Sequence, residues 1–182
     1  RGGKKEKQAV HVMNTSFTMV CVSAILLMLA GLIFAHPLLV LFGASGTALQ
    51  YAYPYMMIYM LGTLPSMLAI GMNPFINAQG YSVIGMFSVV IGAMANLILD
   101  PLFIFVFSFG VRGAAIATVL SQCLSALFVL FFLTRKAEFK VRFLKKDEIR
   151  ESIGYAKNIV SLGTAGFIMQ VTNSLVSICC NN

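Results

Sequence analysis

The sequence predicts an all-α, polytopic membrane helical bundle, and three observations support that prediction. The 182 residues are 59% hydrophobic and only 10% charged, whereas soluble domains are about 45–50% apolar and about 25% charged. The charges are also segregated, because Asp100 is the single charged residue between Gln8 and Val111. In addition, the apolar residues form long segments separated by short turn sequences. A bilayer solvates apolar surface directly, so a membrane is the medium that fits this composition.

Five apolar segments are separated by turn signals rich in glycine, proline and asparagine. Each is longer than the roughly 20 residues that an α-helix needs to cross a hydrocarbon core of about 30 Å. The predicted segments are Val10–Ala35, Ala48–Phe75, Val83–Phe107, Gly113–Thr134 and Ile159–Cys180. We expect the first of them to stop at the turn signal His36-Pro37.

Basic residues flank the apolar segments and predict the orientation of the chain. They lie mainly in Arg1–Lys7 and Arg135–Lys157, with Arg112 as the exception. Short links make neighbouring helices antiparallel, so the four spans between the two basic segments place both on one side of the membrane. Lysine and arginine mark that side as cytoplasmic, which predicts a multi-pass protein of the cytoplasmic membrane. Nucleic acid is not an expected partner, because the basic residues follow the membrane flanks.

The polar segment 135–157 is predicted to be a cytoplasmic basic connector between two membrane bundles. Asp147-Glu148 could start a helix within it, and Ile149, Ile153 and Ala156 form a weak apolar stripe. This pattern indicates an interfacial helix, with a solvated loop as the alternative.

Asp100 is the candidate functional residue, because an acidic side chain in a membrane span is costly and usually either pairs or acts. Asn96 lies four residues earlier, so on a helix its amide shares a face with the carboxylate. Pro101 removes a backbone donor and clashes with the carbonyl of Leu97, which predicts a helix bend and a freed oxygen. Such oxygens suit a small hard cation or a proton.

A residue count places Asp100 near the bilayer midplane, level with Thr118 of the next helix. The outer turn at Gly110 lies about 15 Å from Asp100 and about 12 Å from Thr118 along helices that rise 1.5 Å per residue. Ala114 lies one turn before Thr118, and small residues around it allow the two helices to approach closely. The alternative is that Asp100 is protonated and only joins helices by hydrogen bonds to Asn96 or Thr118.

Three stretches of sequence resemble the multidrug and toxic compound extrusion (MATE) family of the wider flippase-exporter superfamily. They are residues 71–80 (GMNPFINAQG), residues 91–107 (IGAMANLILDPLFIFVF) and residues 110–122 (GVRGAAIATVLSQ). The ordered pair NLILDP and GVRGAAIAT is the most specific part, and the resemblance extends over roughly residues 1–176.

This resemblance implies about five spans of an expected twelve, arranged in two lobes. Residues 1–134 would be part of the N-terminal transmembrane lobe (helices three to six), residues 135–157 the connector, and residues 158–182 the start of the C-terminal lobe, with helix seven truncated. It also implies a cation or proton site formed by Asp100, Asn96, Thr118 and Ala114, in which the first three could bind Na⁺. The family site has a further carboxylate on its first helix, which is not in this chain, so the site is expected to be incomplete.

The predicted function is that of a cation-coupled antiporter that exports organic cations or drugs by alternating access, and not that of an enzyme. Na⁺ or H⁺ would be the coupling ion, and no cofactor is expected. The bilayer and amphipathic or cationic small molecules are the predicted partners, and the full-length transporter is expected to be monomeric. The alternatives are a lipid-linked oligosaccharide flippase of the same superfamily, which should have cationic residues inside the lobe, and a non-transporting structural membrane subunit.

Overall fold

The computed structural model describes residues 3–144 and 149–180, and these residues contain helices and connecting segments without a β-strand. The helices are α1 (Gly3–Leu41), α2 (Gly46–Leu61), α3 (Thr63–Ala78), α4 (Ser82–Pro101), α5 (Val111–Phe131) and α6 (Ile149–Cys180). Short π-helical turns continue two of them, Leu102–Val106 after α4 and Phe132–Lys136 after α5. The all-α prediction is therefore confirmed for the described part of the chain.

Among the described residues, four helical stretches are long and apolar enough to cross a membrane, and the α2–α3 pair makes five if it counts as one span. The four stretches are Glu6–Leu41, Ser82–Val106, Val111–Lys136 and Ser152–Val176. This number agrees with the predicted five segments, and it identifies the chain as a multi-pass membrane protein.

The second predicted segment, Ala48–Phe75, is wrong as one continuous helix. The chain bends by 46° between α2 and α3, at Gly62. Pro65 lies in the first turn of α3 and has no N–H to donate, so an unbroken helix would lose its hydrogen bond to the carbonyl of Leu61. The N–H of Gly62 instead bonds to the carbonyl of Tyr59 at 2.9 Å. Backbone hydrogen bonds therefore continue on both sides of the break, since the N–H of Ser66 also bonds to the carbonyl of Gly62 at 3.0 Å.

Other helix boundaries also differ from the sequence prediction. The stop at His36-Pro37 is wrong, because α1 continues through Pro37 to Leu41. Membrane helices tolerate proline when the freed carbonyl is satisfied locally. At the other end of the chain, α6 already begins at Ile149, so residues 149–157 of the predicted connector belong to the same helix as the fifth apolar segment. Asp147 and Glu148 lie outside the described residues.

The chain divides into two compact units, of which the larger comprises Phe17–Arg142. In this unit α4 and α5 pack as an antiparallel pair: Ser88, early in α4, contacts Ser125, late in α5, and Asn96 contacts Thr118. The core holds Met72 and Ile76 of α3 and Val129 of α5, all fully buried.

An extended segment follows the second π-helical turn, and Gln79 at the end of α3 binds its backbone. The backbone N–H of Phe139 donates to Gln79 Oε1 at 3.0 Å, and Gln79 Nε2 donates to the carbonyl of Phe139 at 3.5 Å. Ala137 and Val141 are buried on either side of this contact. The beginning of the connector is thus part of the larger unit.

The smaller unit comprises Arg1–Ser16 and Phe143–Asn182. Within it, the His11 ring stacks on the ring of Tyr155 with a centroid distance of 5.7 Å. The division of the chain at residues 134 and 157 into lobe, connector and second lobe remains a prediction.

Candidate cation site

Close packing between α4 and α5 creates the candidate site. Gly113 in the first turn of α5 is buried, and a Cβ atom there would lie 2.6 Å from the carbonyl oxygen of Phe103. Ala115 and Ala117 are fully buried in the same helix. Small side chains therefore let the two helices approach, as the sequence predicts.

Loop geometry also helps to bring α5 back against α4. Gly110 precedes α5 with φ 54° and ψ −131°, a conformation that side chains with a Cβ atom rarely adopt. The chain can therefore reverse within the few residues that separate the first π-helical turn from α5.

Asn96 is the centre of the polar contacts. Its Nδ2 donates to Asp100 Oδ1 at 3.3 Å on the same helix and to Thr118 Oγ1 at 3.5 Å on α5. Thr118 Oγ1 in turn donates to the carbonyl of Ala114 at 2.9 Å. The four predicted site residues are thus brought together by a hydrogen-bonded chain, and each of them is half-buried.

The register differs by one turn from the sequence estimate. Thr118 lies opposite Asn96, and in the described part of the chain no hydrogen bond joins it to Asp100. The hydroxyl reaches the carboxylate through the amide of Asn96, because Asn96 lies one helical turn before Asp100.

Pro101 is the last residue of α4, and the hydrogen-bonding pattern changes directly after it. The N–H of Leu102 bonds to the carbonyl of Leu99, and the N–H of Phe107 bonds to the carbonyl of Leu102 at 3.0 Å. Pro101 itself cannot donate to Leu97. The structure therefore places a change from α- to π-helical geometry beside Asp100, while a helix bend at Pro101 remains a prediction.

The site offers hard oxygen ligands and a single acid. The described residues contain no group of three or more His, Cys, Asp or Glu side chains that could hold a metal ion. Asp100 supplies a carboxylate, Asn96 an amide oxygen and Thr118 a hydroxyl oxygen, which are the ligand types that small hard cations prefer. These residues fit a monovalent cation or a proton better than a transition metal.

Sequence reasoning missed a second polar group in the same unit, formed by Asn73, Ser88, Ser121, Gln122 and Ser125. The sequence does contain a pattern that indicates this group. Ser88 lies two four-residue steps before Asn96 on α4, and Ser121 and Ser125 are four residues apart on α5. Uncharged side chains carry no large insertion cost, so they did not stand out in an apolar chain as Asp100 did.

The fold and the site together define a multi-pass membrane protein with one acidic side chain held between two packed helices. A family model described as MatE matches residues 1–102, which is more than half of the chain. The chain belongs to the MatE family. The matched range includes both Asn96 and Asp100.

Curated relatives agree with this assignment. The chain is 30% identical over 141 residues to a multidrug export protein, MepA, of Staphylococcus haemolyticus, a match that covers 76% of this chain and 30% of the relative. It is 35% identical over 88 residues to the protein DETOXIFICATION 43 of Arabidopsis thaliana, covering 48% of this chain and 17% of that protein. The chain thus spans about a third or less of the length of these relatives.

Solved structures share the fold. A MOP superfamily transporter from Pyrococcus furiosus superposes with a TM-score of 0.70 at 24% identity, over 90% of this chain and 38% of that one. A multidrug resistance MATE family transporter in an inward-facing conformation gives a TM-score of 0.63 at 24% identity, over 80% and 39% of the two chains. The helical arrangement is therefore that of known transporters.

Proposed function

We propose that the whole protein is a cation-coupled antiporter that exports organic cations or drugs by alternating access across the cytoplasmic membrane. The staphylococcal relative is named as a multidrug export protein. The observation that carries the proposal for this chain is the hydrogen-bonded arrangement of Asp100, Asn96 and Thr118 between α4 and α5.

Asp100 would hold the coupling ion. Its ionised carboxylate can attract Na⁺ or accept a proton, so either ion neutralises a charge that is expensive in the membrane. Both observed donor contacts of Asn96 use its Nδ2 atom, so its Oδ1 can serve as a neutral ligand beside the carboxylate. Thr118 and the carbonyl of Ala114 supply the remaining oxygens on α5.

Coupling requires that the ion and the drug favour different access states. A ligand shifts a conformational equilibrium only by its difference in affinity between the two states. Asp100 lies directly before the point where α4 changes to π-helical geometry, so neutralising its charge acts at a local irregularity of the helix. We propose that this segment, including Pro101, is the element that responds to the ion.

Efflux of a fluorescent organic cation from cells or proteoliposomes tests the proposal. The whole protein is compared with its Asp100→Asn variant under Na⁺ and H⁺ gradients imposed separately. Loss of ion coupling is expected to lower gradient-driven efflux by about 5- to 150-fold, which is the factor that corresponds to typical coupling free energies. The gradient that drives efflux in the wild type identifies the ion.

The exposed connector residue Glu138 provides the matched control, because Glu138→Gln removes one negative charge outside the helices. Membrane levels of both variants are measured by quantitative immunoblotting. Unchanged efflux in Asp100→Asn at wild-type protein levels would contradict the proposal and leave Asp100 a structural contact between helices.

A further inference from the structure

A second group of polar side chains lies in the larger unit, toward the end of the bundle that the charge pattern predicts to be cytoplasmic. We call it the inner cluster; it consists of Asn73, Ser88, Ser121, Gln122 and Ser125. With neighbouring small and apolar residues it lines a cleft of about 530 Å³ between α3, α4 and α5. The proposed ion site does not use any of these residues.

Hydrogen bonds connect the inner cluster across three helices. Asn73 Nδ2 on α3 donates to Ser88 Oγ at 2.6 Å and to the carbonyl of Gly85 at 2.8 Å, both on α4. Ser125 Oγ on α5 donates to the carbonyl of Ser88 at 2.8 Å. Ser88 is 1% exposed and Ser125 is 9% exposed. The cluster is therefore a buried network with a fixed geometry.

The donors of Asn73 and of the three serines are used within the protein, and acceptors remain. Ser88 Oγ donates to the carbonyl of Gly85 at 2.7 Å, and Ser121 Oγ donates to the carbonyl of Thr118 at 2.8 Å. Because a hydroxyl has one proton and two lone pairs, each of these serines and Ser125 has lone pairs left to offer. Both N–H groups of Asn73 are occupied as well.

Such a lining favours cations. Oxygen lone pairs stabilise a hard cation or accept hydrogen bonds from its hydrating waters. They cannot donate a hydrogen bond to an anion. Gln122 Oε1 is the one buried side-chain oxygen or nitrogen of the described residues that has no hydrogen-bond partner, and it packs against Gly62 at the break between α2 and α3. A water occupies about 30 Å³ in the liquid, so several waters fit in the cleft.

The inner cluster is continuous with the ion site. Ser88, Gly92, Asn96 and Asp100 follow one another at four-residue spacing on α4, which puts them on one side of the helix about 6 Å apart. Gly92 borders the cleft, and a Cβ atom there would lie 3.3 Å from Ser125 Cβ. The two helices are therefore closely packed at Gly92, and the hydrogen bond from Ser121 Oγ to the carbonyl of Thr118 connects the cluster with the ion site.

We propose that the inner cluster is the route by which the coupling cation passes between Asp100 and the cytoplasm. The cation is a monovalent ion, either Na⁺ with its waters or a proton carried on water. This inference rests on the proposed function, because a route is meaningful only if Asp100 holds the ion. Ser121 and Ser125 act as oxygen ligands along the route, and Gly92 lines it.

Transport by three variants tests the route. Ser121→Ala and Ser125→Ala remove oxygens without filling the cleft, and Gly92→Val fills it. The two alanine variants each remove one ligand oxygen, and the valine variant adds bulk to the lining of the cleft. For each variant we expect gradient-driven efflux by the whole protein to fall about tenfold, the effect of one lost ligand oxygen. Ser23→Ala is the matched control, because Ser23 Oγ also donates to a carbonyl of its own helix, Met19 at 2.7 Å, and does not line the cleft.

Thiol accessibility gives a readout that does not depend on transport. Ser121→Cys is placed in the whole protein after its natural cysteines have been replaced by alanine, and inside-out vesicles are treated with impermeant methanethiosulfonates of either charge. The cationic reagent is expected to react at least about tenfold faster than the anionic one. Leu124→Cys, on the apolar exposed face of α5, is the control that should react slowly with both.

The two experiments separate failure of the route from failure of the proposed function. If Asp100→Asn stops efflux while Ser121→Ala, Ser125→Ala and Gly92→Val all transport normally, the route is wrong and the ion site stands. Slow or charge-independent labelling of Ser121→Cys from the cytoplasmic side also overturns the route. If Asp100→Asn transports normally, the proposed function fails and the route fails with it.

Discussion

Asn96 joins the two helices of the candidate site, because its Nδ2 atom contacts Asp100 on α4 and Thr118 on α5. The oxygens that remain determine which ion can bind. Thr118 donates its only hydroxyl proton to Ala114, so its Oγ1 faces Asn96 as an acceptor. The site thus contains one carboxylate, the amide oxygen of Asn96, and a hydroxyl oxygen whose only proton is donated to Ala114.

At the residue scale, we expect Thr118→Val to weaken ion binding without preventing it. Valine has nearly the shape of threonine but lacks the hydroxyl, so one ligand oxygen is lost. The ion concentration that gives half-maximal efflux should rise about tenfold. Thr134→Val is the matched control, because Thr134 is exposed and its hydroxyl donates to the carbonyl of Leu130 of its own helix at 2.7 Å. An unchanged ion dependence in Thr118→Val would remove this hydroxyl from the site.

The elements of the larger unit are shaped by glycine and proline positions. Gly113 lets α5 pack against the backbone of the π-helical turn after α4, and Pro65 accounts for the break that follows Gly62. Neither effect follows from hydrophobicity. Both depend on whether a particular backbone atom has a partner or a neighbour at close range.

At the element scale, Gly113→Ala should destabilise the protein although alanine is the better helix former. The added Cβ would lie 2.6 Å from the carbonyl oxygen of Phe103, and a backbone atom cannot rotate away as a flexible side chain does. We expect a loss of about 1–3 kcal/mol, measured as a lower thermal unfolding midpoint in detergent. Gly154→Ala is the control, because a Cβ atom there meets open space. Equal midpoints for the two variants would show that the α4–α5 contact adjusts freely.

The charges predict how the chain is oriented in the membrane. In the larger unit, α4 and α5 run in opposite directions. The loops at Gly43 and Ser108 are predicted to face outward, and the basic segment around Lys140 is predicted to face the cytoplasm. This assignment rests on the positive-inside distribution, which is a property of the sequence.

At the scale of the whole molecule, single cysteines should reveal this orientation. Ser45→Cys and Ser108→Cys are expected to react with an impermeant maleimide added to intact cells, and Lys140→Cys only after the cells are opened. All three positions are exposed. Leu127→Cys, on the apolar surface of α5, is the control for nonspecific labelling. Labelling of Lys140→Cys in intact cells would show that the predicted orientation is wrong, and the proposed direction of export would then be wrong as well.

The sequence by itself determined the class and the approximate spans, and it identified Asp100 as the candidate functional residue. A charge within an apolar segment is visible in a list of residues, because charge is a property of the residue type, and an unpaired charge there is costly. The spacing of Asn96 and Asp100, one turn apart on α4, was predictable for the same reason, since helix geometry is local.

Only the tertiary structure decided which side chains meet across helices. It placed Asn96 rather than Asp100 opposite Thr118, divided the second apolar segment at Gly62, and joined Asn73, Ser88 and Ser125 into one buried network. These features depend on the register between packed helices, which is set by the small residues and backbone contacts at their interface. A shift of one turn changes every partner while the hydrophobic pattern stays the same, and the sequence pattern therefore does not specify it.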